Sequence, residues 1–199
     1  MDKVKFTEKY LKYRDNVLKY TNIDMNLELE NDEQVYIAVF DIPTESGILF
    51  GHTKTLALVF GLNTHIYFGN GDVIVGLEKN KYIMKAMQSL FISSPQVLKT
   101  MQLVNDFSYY ESSNVRAYLK TRKGMYFKEL TKKSREEKFL NMLMENVLLL
   151  FQDIYKFRRY GIIENHLIII WFAMIVQGKI IRERIVKLEF RRSGRNQVL

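Results

Sequence analysis

Thr55-Leu-Ala-Leu-Val-Phe60, His65-Ile-Tyr-Phe68, Gly69-Asn-Gly-Asp72 and Val73-Ile-Val75 decide the fold. Each apolar run is short, β-branched or aromatic, and bounded by turn residues, which is how a strand reads. Asn70-Gly71 is the preferred pair for a type I′ turn, whose two central residues need φ > 0. Upstream, Val35-Tyr-Ile-Ala-Val-Phe40 reads as another strand and stops at the breaker Asp41-Ile-Pro43. Residues 35–75 therefore predict an antiparallel meander.

Helical spacing flanks this meander. Phe6, Tyr10, Tyr13 and Val17 fall on one face of an amphipathic segment, and a polar, acidic connector follows from Asn26 to Gln34. Ile83, Ala86, Met87 and Leu90 mark a helix over 82–91, stopped by Ser93-Ser94-Pro95. Val115, Ala117 and Leu119 then alternate with polar neighbours, Arg122-Lys123-Gly124 turns the chain, and Met125 to Leu130 returns. A long helix is expected from Ser134 to about Phe157, with Phe139, Leu143, Val147, Leu150 and Ile154 on one stripe. Leu140, Met144, Leu148 and Phe151 widen it.

Residues 162–188 fit helix or strand, with helix favoured, and residues 190–199 read as a flexible basic tail. This order gives one α+β domain over 1–199, a single antiparallel sheet of about five strands. The helices are expected mainly on one face, and the C-terminus is expected to be helical.

The segments Leu56-Ala-Leu-Val-Phe-Gly61, Ile66-Tyr-Phe-Gly-Asn-Gly71 and Val73-Ile-Val-Gly76 carry a loose resemblance. With the following helix and the hairpin of 115–127, they resemble an uncharacterised family of bacterial proteins of similar length, over about half the chain. This chain departs from that family in having fewer glycines at the turn and a longer basic C-terminus. The resemblance implies a bacterial origin and a shared fold, and it brings no activity with it.

Composition removes several chemistries. With no cysteine, there is no disulfide, no thiolate nucleophile and no sulfur-ligated zinc. His52, His65 and His166 lie in no metal-ligand spacing, so no metal and no cofactor is expected. Gly69 to Gly76 lacks the Lys-Ser/Thr pair of a phosphate loop and opens a strand instead of a helix. Of the carboxylates, only Asp41 and Asp72 stand out, and Asp72 reads as a turn residue. No catalytic residue is assigned, and an enzyme with a site built from sequence-distant residues is the weaker reading. Residues 1–20 carry six Lys or Arg and no apolar core of a signal peptide. The longest apolar run, 167–176, is half the roughly 20 residues of a membrane span. The cytoplasm is the expected compartment.

Charge is unevenly placed. Residues 1–100 hold 11 Lys or Arg against 12 Asp or Glu, while residues 101–199 hold 19 against 10. Arg116, Lys120, Arg122, Lys123, Lys132, Lys133 and Arg135 are thus candidate contacts for nucleic acid or an acidic protein. The broad apolar stripes point instead to a non-enzymatic, regulatory or protein-interaction module that binds a partner or itself. Trp171 and Phe172 are its candidate interface residues. This interaction module is the first expectation, and nucleic-acid binding is the alternative.

Overall fold

The computed structural model describes residues 6–43, 53–61 and 63–160. The chain divides into one unit of Met1–Phe151 and a second of Gln152–Leu199. The sheet and helices that follow belong to the first, apart from the end of the last helix. The expectations for residues 162–199, including Trp171 and Phe172, lie outside the described residues.

Among the described residues the sheet is antiparallel and has seven strands rather than about five. They are β1 (Ile37–Pro43), β2 (Thr53–Val59), β3 (Asn63–Phe68), β4 (Val73–Ile74), β5 (Gln102–Val104), β6 (Val115–Thr121) and β7 (Gly124–Leu130). Their spatial order is β4-β3-β2-β1-β6-β7-β5, so β1 lies at the centre. It is almost wholly buried because β2 and β6 flank it and both of its faces are covered. Asp41-Ile-Pro43 does not end this strand. Pro43 is the last paired residue, opposite Thr53, where the missing N–H costs little.

Of the helices α1 (Glu8–Lys19), α2 (Lys81–Ser93) and α3 (Arg135–Tyr160), α2 and α3 share one face, as expected for most of them, and α1 lies on the other. The Tyr10 hydroxyl of α1 meets Thr55 Oγ1 at 2.8 Å, whereas Thr64 Oγ1 donates to Met87 Sδ of α2 at 2.8 Å. Thr55 pairs with Tyr67 and Thr64 with Leu58, so strand alternation puts the two threonines on opposite faces. The reason for this two-sided cover is in β1, where Val39 on one face and Phe40 on the other are both fully buried. A strand apolar on both faces needs a layer on each.

The β3–β4 connection also departs from expectation. Gly71 N–H donates to Phe68 O and Phe68 N–H to Asp72 O, and Gly71 has φ +90° while Asn70 has no positive φ. This is a three-residue loop with glycine in the left-handed position, not a two-residue type I′ turn. A Cβ on Gly71 would stand 2.9 Å from Thr7 Oγ1. Thr7 caps α1, accepting from Tyr10 N–H at 3.2 Å, and its own N–H donates to Gly69 O at 3.0 Å. Gly71→Val should therefore destabilise the protein by about 2 kcal/mol, from left-handed strain and a crowded cap together. A denaturant melt matching that of the unaltered protein would refute this geometry.

α3 starts with a Ser-x-x-Glu arrangement in which Glu137 N–H donates to Ser134 Oγ at 3.1 Å. The Glu137 carboxylate accepts from Thr131 Oγ1 at 2.8 Å and Lys133 N–H at 3.1 Å. Burial alone would raise this carboxyl. The two donors and nearby Lys128 outweigh it and hold the carboxyl below the usual glutamate range. A depressed folded pKa adds stability above the ordinary glutamate value and gives it up as pH falls through the folded value. Glu137→Gln should cost about 1 kcal/mol at neutral pH. Melts of the two proteins should converge on acidification below pH 4.

Candidate functional site

The sheet face under α1 carries a polar row. Tyr67, Thr55, Asp41, Arg116 and Glu129 stand opposite one another on β3, β2, β1, β6 and β7. Arg14, one turn after Tyr10 on α1, descends onto the middle of that row. Its Nε donates to Asp41 Oδ1 and Oδ2 at 3.1 and 2.9 Å, and its Nη2 lies 2.8 Å from Oδ2. Arg116 Nη2 approaches Oδ2 at 3.1 Å, and Thr55 Oγ1 donates to Oδ1 at 2.7 Å. Arg14, Asp41 and Arg116 are 0, 1 and 2% exposed.

Two guanidinium groups share the buried Asp41 carboxylate, and aromatic rings face both. The Arg116 guanidinium carbon lies 4.4 Å from the ring centres of both Tyr109 and Tyr110. That of Arg14 lies 5.3 Å from Tyr118. Each such contact is worth about 1–2 kcal/mol when desolvated. The remaining arm of Arg14 donates to Phe107 O at 2.8 Å and to Asp15 at 3.0 Å.

Burial, and then the Asp41 charge, push the Tyr10 hydroxyl far up and that of Tyr118 to about 12. Burial works against the Arg14 cation, but Asp41 overcomes it and moves the group further from neutrality. A general acid or base needs a pKa near the working pH. Tyr10, Arg14 and Tyr118 thus form a lock that fastens α1 to β1 and β6, with no proton to exchange at neutral pH.

The same helix forms one wall of an open cleft. Tyr13, Asn16, Val17 and Tyr20 face His65 and Tyr67 of β3, with Val59 on the floor and Val73 and Val75 at the sheet edge. Asp24 and Met25 close one end, and the space amounts to about 780 Å³. Tyr13 stacks on Tyr67 with ring centres 5.7 Å apart, and His65 Nδ1 lies 3.0 Å from the Tyr67 hydroxyl. Burial, then the neighbouring Tyr20 and Tyr13, raise Tyr67 to about 12. Burial lowers His65, outweighing the Glu78 charge that would raise it. Asp24 already accepts from Thr21 N–H and Oγ1 at 2.9 and 2.8 Å. Apart from the Asp24 carboxylate at its end, the cleft thus offers apolar surface and uncharged hydrogen-bonding groups.

Sequence reasoning singled out Asp41 without its arginines and missed the cleft. The candidate cations do not gather. Arg116 belongs to the buried lock, so it is no surface contact. Lys120 Nζ donates to Leu18, Lys19 and Tyr20 carbonyls at 2.8, 3.2 and 2.6 Å, capping the end of α1. Arg122 pairs with Asp32 at 3.0 Å, and Lys123 and Lys132 with Glu33 and Glu145, both at 3.5 Å. Lys133 and Arg135 are exposed near the start of α3. Asp72 is a turn residue, its N–H donating to Asn70 Oδ1 at 3.0 Å. Among the described residues no group of acidic or histidine side chains is placed to hold a metal ion, and no helix is long and apolar enough to cross a membrane. No family model matches the chain, and neither does any curated protein or solved structure.

Proposed function

We propose that this chain is a non-enzymatic interaction module that receives an apolar, aromatic-bearing segment of a partner protein in the cleft between α1 and β3. The composition of the cleft carries the reading. Its twelve lining residues include three tyrosines, a methionine and four valines, and Asp24 is the one charged residue among them, in a chain that is 26% charged. Protein interfaces have this bias, rich in aromatic residues and methionine and poor in lysine. Around it Tyr20 is 50%, Val75 60% and Ile23 82% exposed. Exposed apolar groups clustered about a concave site favour recognition over solvation.

The lock supports the same reading, because a wall that is fastened before binding loses little freedom when the partner arrives. The nucleic-acid alternative draws less support, since Arg116 is buried on Asp41 and Lys120 caps α1, which removes two of its seven candidate cations from the surface.

A photoreactive phenylalanine analogue at Tyr20 tests the proposal. Irradiation in cells of the source organism should give a discrete protein cross-link, identified by mass spectrometry. Filling the cleft by Val73→Trp should abolish it, while Leu149→Lys on the exposed side of α3 should not. Cross-links that are absent, or indifferent to Val73→Trp in a folded protein, would end this reading.

A further inference from the structure

A second, smaller cavity lies on the opposite side of the sheet. It encloses about 290 Å³ between α3, the end of β1 and the start of β6. Its apolar lining comes from Ile42, Met144 and Leu148, among others. Into it projects one feature at odds with a settled interior. Asn141 is 5% exposed, and its Oδ1 has no hydrogen-bond partner. Buried polar atoms are almost always satisfied, so a lone one lining a cavity, with no partner in the protein itself, is open to a donor from outside the chain.

Two further observations locate the polar end of that ligand. Glu145 stands one helical turn beyond Asn141 on the same face of α3, and Lys132 faces it across the mouth at 3.5 Å. Both are about half exposed, at 49 and 57%, so their mutual pairing is weak and opens at little cost. Lys132 is also one of two described non-glycine residues with positive φ, at 61°. Backbone strain of this kind collects at binding sites, where a side chain must be aimed.

We propose that this cavity binds a small zwitterion, a free α-amino acid with an apolar side chain. The ligand's carboxylate takes Lys132 and its ammonium takes Glu145 and the Asn141 oxygen. Its side chain fills the space beside Ile42, Met144 and Leu148. An exposed cation and anion at one mouth match a ligand with both charges better than one with a single charge, which would leave one partner idle. The other half of the lining, Ile42, Pro43, Val115, Leu130, Met144 and Leu148, is apolar and favours an apolar side chain on the ligand. This site is separate from the cleft, and neither reading depends on the other.

Thermal melts and isothermal titration of the full chain test it with leucine, isoleucine, valine and methionine. Leucinamide and 4-methylpentanoate serve as the singly charged controls. At least one of the four amino acids should raise Tm in a concentration-dependent manner, and the controls should bind tenfold or more weakly. Glu145→Gln, an exposed change that leaves folding intact, should weaken binding at least tenfold. Asn141→Leu should abolish binding yet raise the Tm of the ligand-free protein by about 2–4 °C, because it removes an unsatisfied polar atom. A purely structural Asn141 would give the opposite sign. The proposal fails if no amino acid binds at millimolar concentration, if the controls bind equally well, or if Asn141→Leu lowers Tm.

Discussion

Asp41→Ala is expected to destabilise the protein by about 3–5 kcal/mol, because it strands the buried Arg116 guanidinium without a counter-charge and leaves Arg14 only the partly exposed Asp15. That is a large part of the roughly 5–15 kcal/mol that holds a domain folded. Much of the variant should be unfolded or aggregated at 37 °C. Replacing all three members with apolar residues (Arg14→Met, Asp41→Leu and Arg116→Met) should recover most of the loss, since desolvating the charges was itself costly. Denaturant melts of both variants check this. Equal loss in the single and triple variants would show that shape, and not charge pairing, secures α1.

Tyr20→Ala should weaken binding to the partner named by the cross-link by about 30-fold or more, the 2 kcal/mol of an interface hot spot. Stability should change by about 0.5 kcal/mol or less, because the side chain is half exposed and only its backbone carbonyl holds Lys120. Titration calorimetry alongside a melt separates the two effects. A threefold loss or less would move recognition away from the cleft. The decisive quantity is the contrast between a large change in affinity and an unchanged melt.

Strands and helices that repeat a period over several residues were legible in the sequence. The meander, the 115–130 hairpin and the three described helices all came from alternation or helical spacing. β5 was not legible, because Gln102-Leu-Val104 is too short for a period and two of its three residues are exposed. The place of α1 on the opposite face was hidden as well. It follows from β1 being apolar on both faces, which a run such as Ile37-Ala-Val-Phe40 displays equally well in a helix core. On α3 the broad stripe was right in width and its centre was misjudged. The buried set is Leu140, Leu143, Met144, Val147, Leu148 and Phe151, with Leu150 only partly covered.

The candidate sites fared worse for a clear physical reason. Arg14, Asp41 and Arg116 are separated by 27 and 75 positions, and only the strand register brings them together. One signal was available. Asp41 sits in an otherwise apolar strand, and a buried carboxylate demands a cation from somewhere. The basic excess of the second half was real, but it was read as surface when Arg116 and Lys120 are spent inside the chain's own structure.

The fastening of α1 also sets a schedule for the nascent chain. This helix is synthesised before the sheet it docks on, and the lysine that caps its end comes 102 residues after Leu18. At about 5–20 residues per second, some 5–20 s pass before Lys120 even exists, and Arg116 arrives only moments earlier. Throughout that interval Tyr10, Val17 and Leu18 have no completed sheet to cover them. Helix α1 therefore waits for β6 before its docking is complete, and its apolar face is open to a ribosome-associated chaperone during that wait.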